Sequence, residues 1–176
     1  ISGSGAMYDY EGNDTPWNSY RFTDITSVVV EEGITHIGNS AFRGFEVATI
    51  ATLPSTLTSI GVRSFGGSRN IRVSIPANVE SIGDNAFNGC TGLTGELSIT
   101  SVTNIGYQAF LSCSGITSVN LSDNLETIGY GAFSRTGLTS VTIPEGVTTI
   151  PAWAFDNCSA LATVSLPSTL ATINNY

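Results

Sequence analysis

The chain has 176 residues, 41% of them hydrophobic and 11% charged, with 14 acidic residues against six basic ones and a net charge of −8. That apolar content excludes a disordered chain, and the surplus of acid disfavours nucleic acid and anionic membrane surfaces as partners. The apolar residues come in ones and twos, and no run approaches the ~20 residues of a membrane-spanning helix, so no membrane insertion is expected within this segment. All six basic residues are Arg, and the chain opens at Ile1, which reads as a mature or trimmed fragment. A composition rich in Gly, Ser, Thr and Asn suits an extracellular or cell-surface protein.

Residues 1–24 form a flanking segment ahead of the periodic part. Within it, DYEGND (residues 9–14) offers Asp9, Glu11, Asn13 and Asp14 as oxygen ligands. A calcium loop of the EF-hand type beginning at Asp9 would place its bidentate Glu where Tyr20 stands, so a polar turn is favoured over a metal site.

From residue 25 to 176 the chain repeats. HIGNSAFRGF, SIGVRSFGGS, SIGDNAFNGC, NIGYQAFLSC, TIGYGAFSRT and TIPAWAFDNC follow one another, and their aromatic anchors are Phe42, Phe65, Phe87, Phe110, Phe133 and Phe155. Ile37, Ile60, Ile82, Ile105, Ile128, Ile150 and Ile173 keep the same beat, so a seventh copy begins. Each unit opens on an alternating stretch such as Val73-Ser74-Ile75 or Val141-Thr142-Ile143, the pattern of a strand with one buried face. Pro54, Pro76, Pro144 and Pro167 end four of these strands, because proline has no N–H for the ladder. A turn carrying Val79 and Ile82 follows, then Gly83. Ala86, Phe87 and Cys90 fall at i, i+1 and i+4, which predicts about one helical turn with Asp84 as its cap. A single unit cannot bury its apolar edge but stacked neighbours can, so the pattern predicts a solenoid. The expected fold is a β-rich α/β solenoid, a right-handed superhelix of about seven 22–23-residue coils, with one parallel sheet roughly 30 Å long and short helical turns. In LTGELSITSVTNIG (residues 93–106) the strand slides by one residue, which predicts a bulge or shifted strand.

The repeat L-T-S-V-x-I-P-x-x-V-T-x-I-G-x-x-A-F-x-x-C, clearest in GLTSVTIPEGVTTIPAWAFDNC (residues 137–158), resembles the leucine-rich repeats of BspA-like bacterial surface proteins. The resemblance covers about residues 25–173, with Phe45, Ser68 and Thr136 replacing Cys and Pro151 replacing Gly. It implies surface display and adhesion-type binding without naming a ligand. The opening segment is similar to the amino-terminal flank of such arrays, where a short β element with Trp17 and Tyr20 would cover the first coil. The array stops without its seventh A-F, so a terminal cap is expected to be missing or very short.

Cys90, Cys113 and Cys158 all stand three residues after a repeat Phe, where other units hold Phe45, Ser68 and Thr136. Their common register predicts a ladder of small buried side chains and free thiols, although adjacent coils put Cys90 and Cys113 about 5 Å apart, within disulfide range. The odd count and the lack of C-x-x-C argue against zinc. His36, the lone histidine, occupies a register of Ser, Asn and Thr and reads as a solvated surface residue without a nucleophile or orienting partner. No phosphate-loop motif is present. We therefore expect no cofactor, no metal and no enzyme.

Binding information must lie where the repeat varies. The outward strand row, Val29, Thr52, Ser74, Ser98, Asn120, Thr142 and Ser165, is a flat strip of small groups without the Trp, Tyr and Arg anchors that concentrate binding energy. After the I-G step, however, Tyr107 and Tyr130 fall in one register with Trp153 one place on. They are expected to stack as an exposed ladder that binds a protein or glycan ligand, or else to pack over the coil edges. The sequence thus favours a non-catalytic binding or adhesion module, monomeric or weakly oligomeric. A passive spacer within a larger surface protein is the alternative, and an enzyme a remote one.

Overall fold

The computed structural model describes residues 1–12, 14–20 and 23–175. Each coil has three walls. The first wall holds the alternating segments as strands β2 (Ser27–Val29), β4 (Ile50–Thr52), β6 (Arg72–Val73), β8 (Gly95–Ile99), β10 (Ile116–Leu121), β12 (Ser140–Thr142) and β14 (Thr163–Ser165). The second holds β3 (Ile34–Ile37), β5 (Ser59–Ile60), β7 (Ser81–Ile82), β9 (Asn104–Ile105), β11 (Thr127–Ile128), β13 (Thr149–Ile150) and β15 (Thr172–Ile173). All pairings are parallel, from Ser27↔Ile50 in the first wall to Ile128↔Ile105 in the second. The Pro carbonyls set the corner between these walls, with Leu57, Val79, Val147 and Leu170 donating their N–H to the Pro three residues back.

Two expectations need correction here. The single sheet is two rows of parallel ladders, because the I-G segment read as a turn is itself a two-residue strand, too short to show an alternation. The solenoid has about six turns, not seven: β14 and β15 stack on the sixth coil, but no third wall follows them. The irregular fourth unit does carry the predicted disturbance. The first-wall ladder is interrupted between β6 and β8, and the register of β10 against β8 shifts between Ile116 and Ser118.

The third wall corrects the α/β class and the short helical turns, since the described residues contain no helix. Two residues per coil, four apart, adopt positive φ: Arg63 (54°) and Gly67 (79°), Asn85 (55°) and Gly89 (75°), Gln108 (51°) and Ser112 (61°). A left-handed residue ends a right-handed helical run before a full turn closes. Alternate N–H groups make i→i+3 turn bonds, as Ala86 to Gly83, Asn88 to Asn85 and Cys90 to Phe87. The intervening ones reach the next coil, with Asn85 donating to Tyr107, Phe87 to Ala109 and Gly89 to Leu111. The same three bonds recur at every step from the first coil to the sixth. Turns thus form a hydrogen-bonded wall of their own.

The walls enclose a column of Phe rings. Phe65 and Phe87 stack at 5.2 Å with 2° between planes, and Phe87 and Phe110 at 5.4 Å with 4°. Phe42, Phe65, Phe87, Phe110 and Phe133 are fully buried, while Phe155 at the end of the column is half-buried. The flank supplies one more rung. Trp17 stacks on Phe42 at 5.6 Å, and its Nε1 donates to Ala41 O at 2.6 Å, satisfying a carbonyl that no earlier coil meets. Strand β1 (Gly5–Ala6) pairs with β3, giving the expected short β element. Tyr20 does not join this cap; it is 56% exposed.

Glycine after the Ile is a packing requirement. A Cβ on Gly106 would lie 2.5 Å from Asp84 N and 2.6 Å from the Gly83 carbonyl carbon. The three cysteines are free and buried, each donating Sγ–H to the Phe carbonyl of the preceding coil: Cys90 to Phe65 at 3.1 Å, Cys113 to Phe87 at 3.0 Å, Cys158 to Phe133 at 3.1 Å. Ser68 does the same to Phe42 at 2.8 Å. Burial pushes the Cys113 thiol up to about 12 and the Cys90 thiol well above its ordinary range.

Candidate functional site

The outer surface of the third wall is set by its backbone. Because Phe and its preceding Ala point into the core, the residues around the left-handed position point out. Asp84 Oδ1 accepts the Tyr107 N–H at 2.7 Å, as Asn39 Oδ1 accepts that of Val62 at 2.6 Å and Asp9 Oδ1 that of Asn39 at 2.7 Å. Short polar side chains therefore hold this column in register at its amino-terminal half, and Tyr107 and Tyr130 continue it.

The aromatic residues come together as the spacing predicts. Tyr107 and Tyr130 stack at 5.4 Å and 10°, and Tyr130 and Trp153 at 6.1 Å and 23°. Their exposures are 44%, 38% and 40%, so each ring is partly packed on its neighbours and partly open to solvent. Trp153 lies in the next column, the left-handed one that also holds Gln108 and Gly131, with φ of 63°. Because Gly131 has no side chain, a cavity of about 150 Å3 opens there, lined by Gln108, Tyr130, Gly131, Arg135, Trp153 and Asp156 among others. The polar members of this cavity were not visible as candidates in the sequence. They belong to three coils, and their convergence depends on the left-handed register.

The other candidates fall into structural roles. His36 is half-buried, not merely solvated: Nδ1 lies 2.7 Å from Ser59 Oγ and Nε2 3.3 Å from Asp9 Oδ1. The Asn39 N–H holds the Asp9 carboxyl below its ordinary value, with a further contribution from His36. Asp9 thus completes the first coil's column, while Asn13 of the same DYEGND segment lies outside the described residues. Among the described residues no group of three or more His, Cys, Asp or Glu is placed to hold a metal ion. No helix among them is long and apolar enough to cross a membrane. The outward strand row is exposed along its whole length and carries mostly small side chains, with a concavity of about 370 Å3 beside Ser74 and Ser98 where the ladder is interrupted.

The sequence pattern of the BspA type Leucine rich repeat region (6 copies) matches residues 15–99 and again residues 95–176. The chain belongs to that family. The BspA-type chain is similar to a leucine-rich-repeat protein of T. pallidum, at 26% identity and TM-score 0.81 over 97% of this chain and 78% of that one. A leucine-rich cell surface protein of Faecalibacterium prausnitzii matches at 29% identity and TM-score 0.80, over 92% of this chain and 42% of that one. A leucine-rich-repeat protein of Bacteroides ovatus matches at 28% identity and TM-score 0.59, over 81% and 46%. The BspA-type chain therefore spans less than half the length of these last two. No curated protein matches it. The family is one of bacterial surface repeat proteins, and its fold is compatible with a binding or a structural role.

Proposed function

We propose that this chain is a non-catalytic, surface-displayed binding module, with residues 1–24 as its flank and 25–176 as its array, whose ligand lies along Tyr107, Tyr130 and Trp153. The observation that carries this reading is the exposed stack of three rings on successive coils. Flat aromatic faces bind sugar rings and apolar protein segments through area and dispersion, and a rigid repeat scaffold holds them in place without an ordering cost at binding. Many weak contacts along such a wall gain strength from linked copies. The module is extracellular or at the cell surface, and a monomer or weak oligomer.

The test is binding to extracellular-matrix proteins and glycan panels with Tyr107→Ala/Tyr130→Ala and with Trp153→Asn, which keeps a residue suited to positive φ. The expected result is loss of binding by variants whose circular dichroism shows them still folded; undiminished binding would exclude the ladder. The outward strand row, which carries no aromatic anchor, favours a second reading, a spacer that holds other domains apart, in which the wild-type chain binds nothing in those panels.

A further inference from the structure

A second concavity lies on the same third wall, three coils towards the amino terminus. It encloses about 310 Å3, and its lining includes Arg43, Arg63, Arg69, Asn85 and Asn88. Three of the six arginines of a chain with net charge −8 thus line one groove. Arg63 and Arg69 are exposed, and among the described residues neither side chain has an ion-pair or hydrogen-bond partner. Asn88 Nδ2 donates to Asn85 Oδ1 at 2.8 Å, which leaves the Asn85 amide N–H groups available. Gly67 and Gly89 line the groove as well, and the space where a Cβ on Gly89 would stand is open, so a ligand can approach the backbone there. Two acids lie near in the repeat: Asp84, whose Oδ1 is engaged by the Tyr107 N–H, and Glu46, one coil from Arg69 in its register.

Clustered guanidinium groups repel one another, and an oxyanion between them relieves that repulsion while accepting paired N–H donors. The groove also continues the aromatic surface. Arg63 and Asn85 stand in the same column as Gln108, Gly131 and Trp153, so the two concavities are one strip about 15 Å from centre to centre. We propose that the Arg63–Arg69 groove binds the sulfate or carboxylate groups of an acidic polysaccharide lying along the third wall. Its extension onto the rings rests on the reading given above; the anion site stands without it.

The assay measures affinity of the full chain for dextran sulfate, polygalacturonate and neutral dextran at about 50 mM salt and above. The test variant is Arg63→Asn/Arg69→Thr, which places at both positions the residues of the next coil, Asn85 and Thr91, and so keeps the left-handed backbone supplied. At least one acidic polymer is expected to bind roughly tenfold or more tighter than neutral dextran, with affinity falling steeply as salt rises. The variant is expected to lose that margin and most of the salt dependence, and inorganic sulfate to compete with the wild type at matched ionic strength. The difference between the two acidic polymers identifies the anion. Equal affinity of variant and wild type for both polymers, or neutral dextran binding as tightly as they do, would overturn the proposal. Loss with the arginine variant but not with Tyr107→Ala/Tyr130→Ala would keep the groove and remove the aromatic reading, and the reverse pattern would do the opposite.

Discussion

Replacing Phe87 by Ala tests whether the Phe column is the source of stability. Phe87 is fully buried and sandwiched between Phe65 and Phe110 at 5.2 and 5.4 Å. Truncating a buried Phe costs about 3–5 kcal/mol through lost transfer energy and the remaining cavity, and each offset ring pair contributes about 0.5–1.5 kcal/mol within or beyond that range. Phe155 sits at the end of the column, half-buried and with one described ring neighbour, Phe133 at 5.7 Å. Phe155→Ala should therefore cost about half as much. With a urea slope near the upper end of ~1–3 kcal/mol/M, Phe87→Ala should lower the unfolding midpoint by about 1–2 M, and Phe155→Ala by clearly less. Circular dichroism during urea titration measures both. Because coils contact their neighbours alone, Phe87→Ala should also broaden or split the transition, whereas the end substitution should leave it single. Equal midpoint shifts for the two variants would refute the column argument.

Ser64 occupies the column of Ala41, Ala86, Ala109, Ala132 and Ala154, and its buried Oγ has no hydrogen-bond partner among the described residues; Ser64→Ala should raise stability by about 1 kcal/mol, read as an increased urea midpoint. Gly106→Ala should cost about 1–3 kcal/mol, because the added Cβ meets backbone atoms of the coil before it, and a melting temperature unchanged within a degree would contradict that packing. For Cys113 the folded thiol is raised above its ordinary 9.0, so the unfolded chain ionises first and stability is lost as pH rises above about 9. At pH 10 the loss from this thiol is about 1 kcal/mol, and Cys113→Ser, which keeps a donor for the Phe87 carbonyl as Ser68 does for Phe42, should remove it from the pH profile of unfolding.

The stacking of coils was legible because identity recurs at every Ile and Phe anchor, and a ladder needs that and little else. The I-G step was misread as a turn since Ser81–Ile82 is a two-residue strand, shorter than any alternation can reveal. The helical turn was misread for a different reason. The spacing of Ala86, Phe87 and Cys90 fits one helical face equally well, and the left-handed φ of Asn85 that forbids the helix is carried elsewhere by Ser, Arg, Gln and Trp, which do not announce it. The tyrosine stack followed directly from register. Arg43, Arg63 and Arg69 did not, because they occupy three different columns on two coils and meet only once the third wall is folded.

The backbone-to-backbone hydrogen bonds between coils of the third wall run one way among the described residues, N–H groups of each coil meeting carbonyls of the next. The wall is therefore polar, like an arrow: its carbonyls face the amino-terminal side, where Trp17 meets that of Ala41, and its inter-coil N–H groups face the other way. A coil can therefore join this wall in one orientation only, offering its carbonyls to the N–H groups of the coil before it, so the direction of the array is written into every rung.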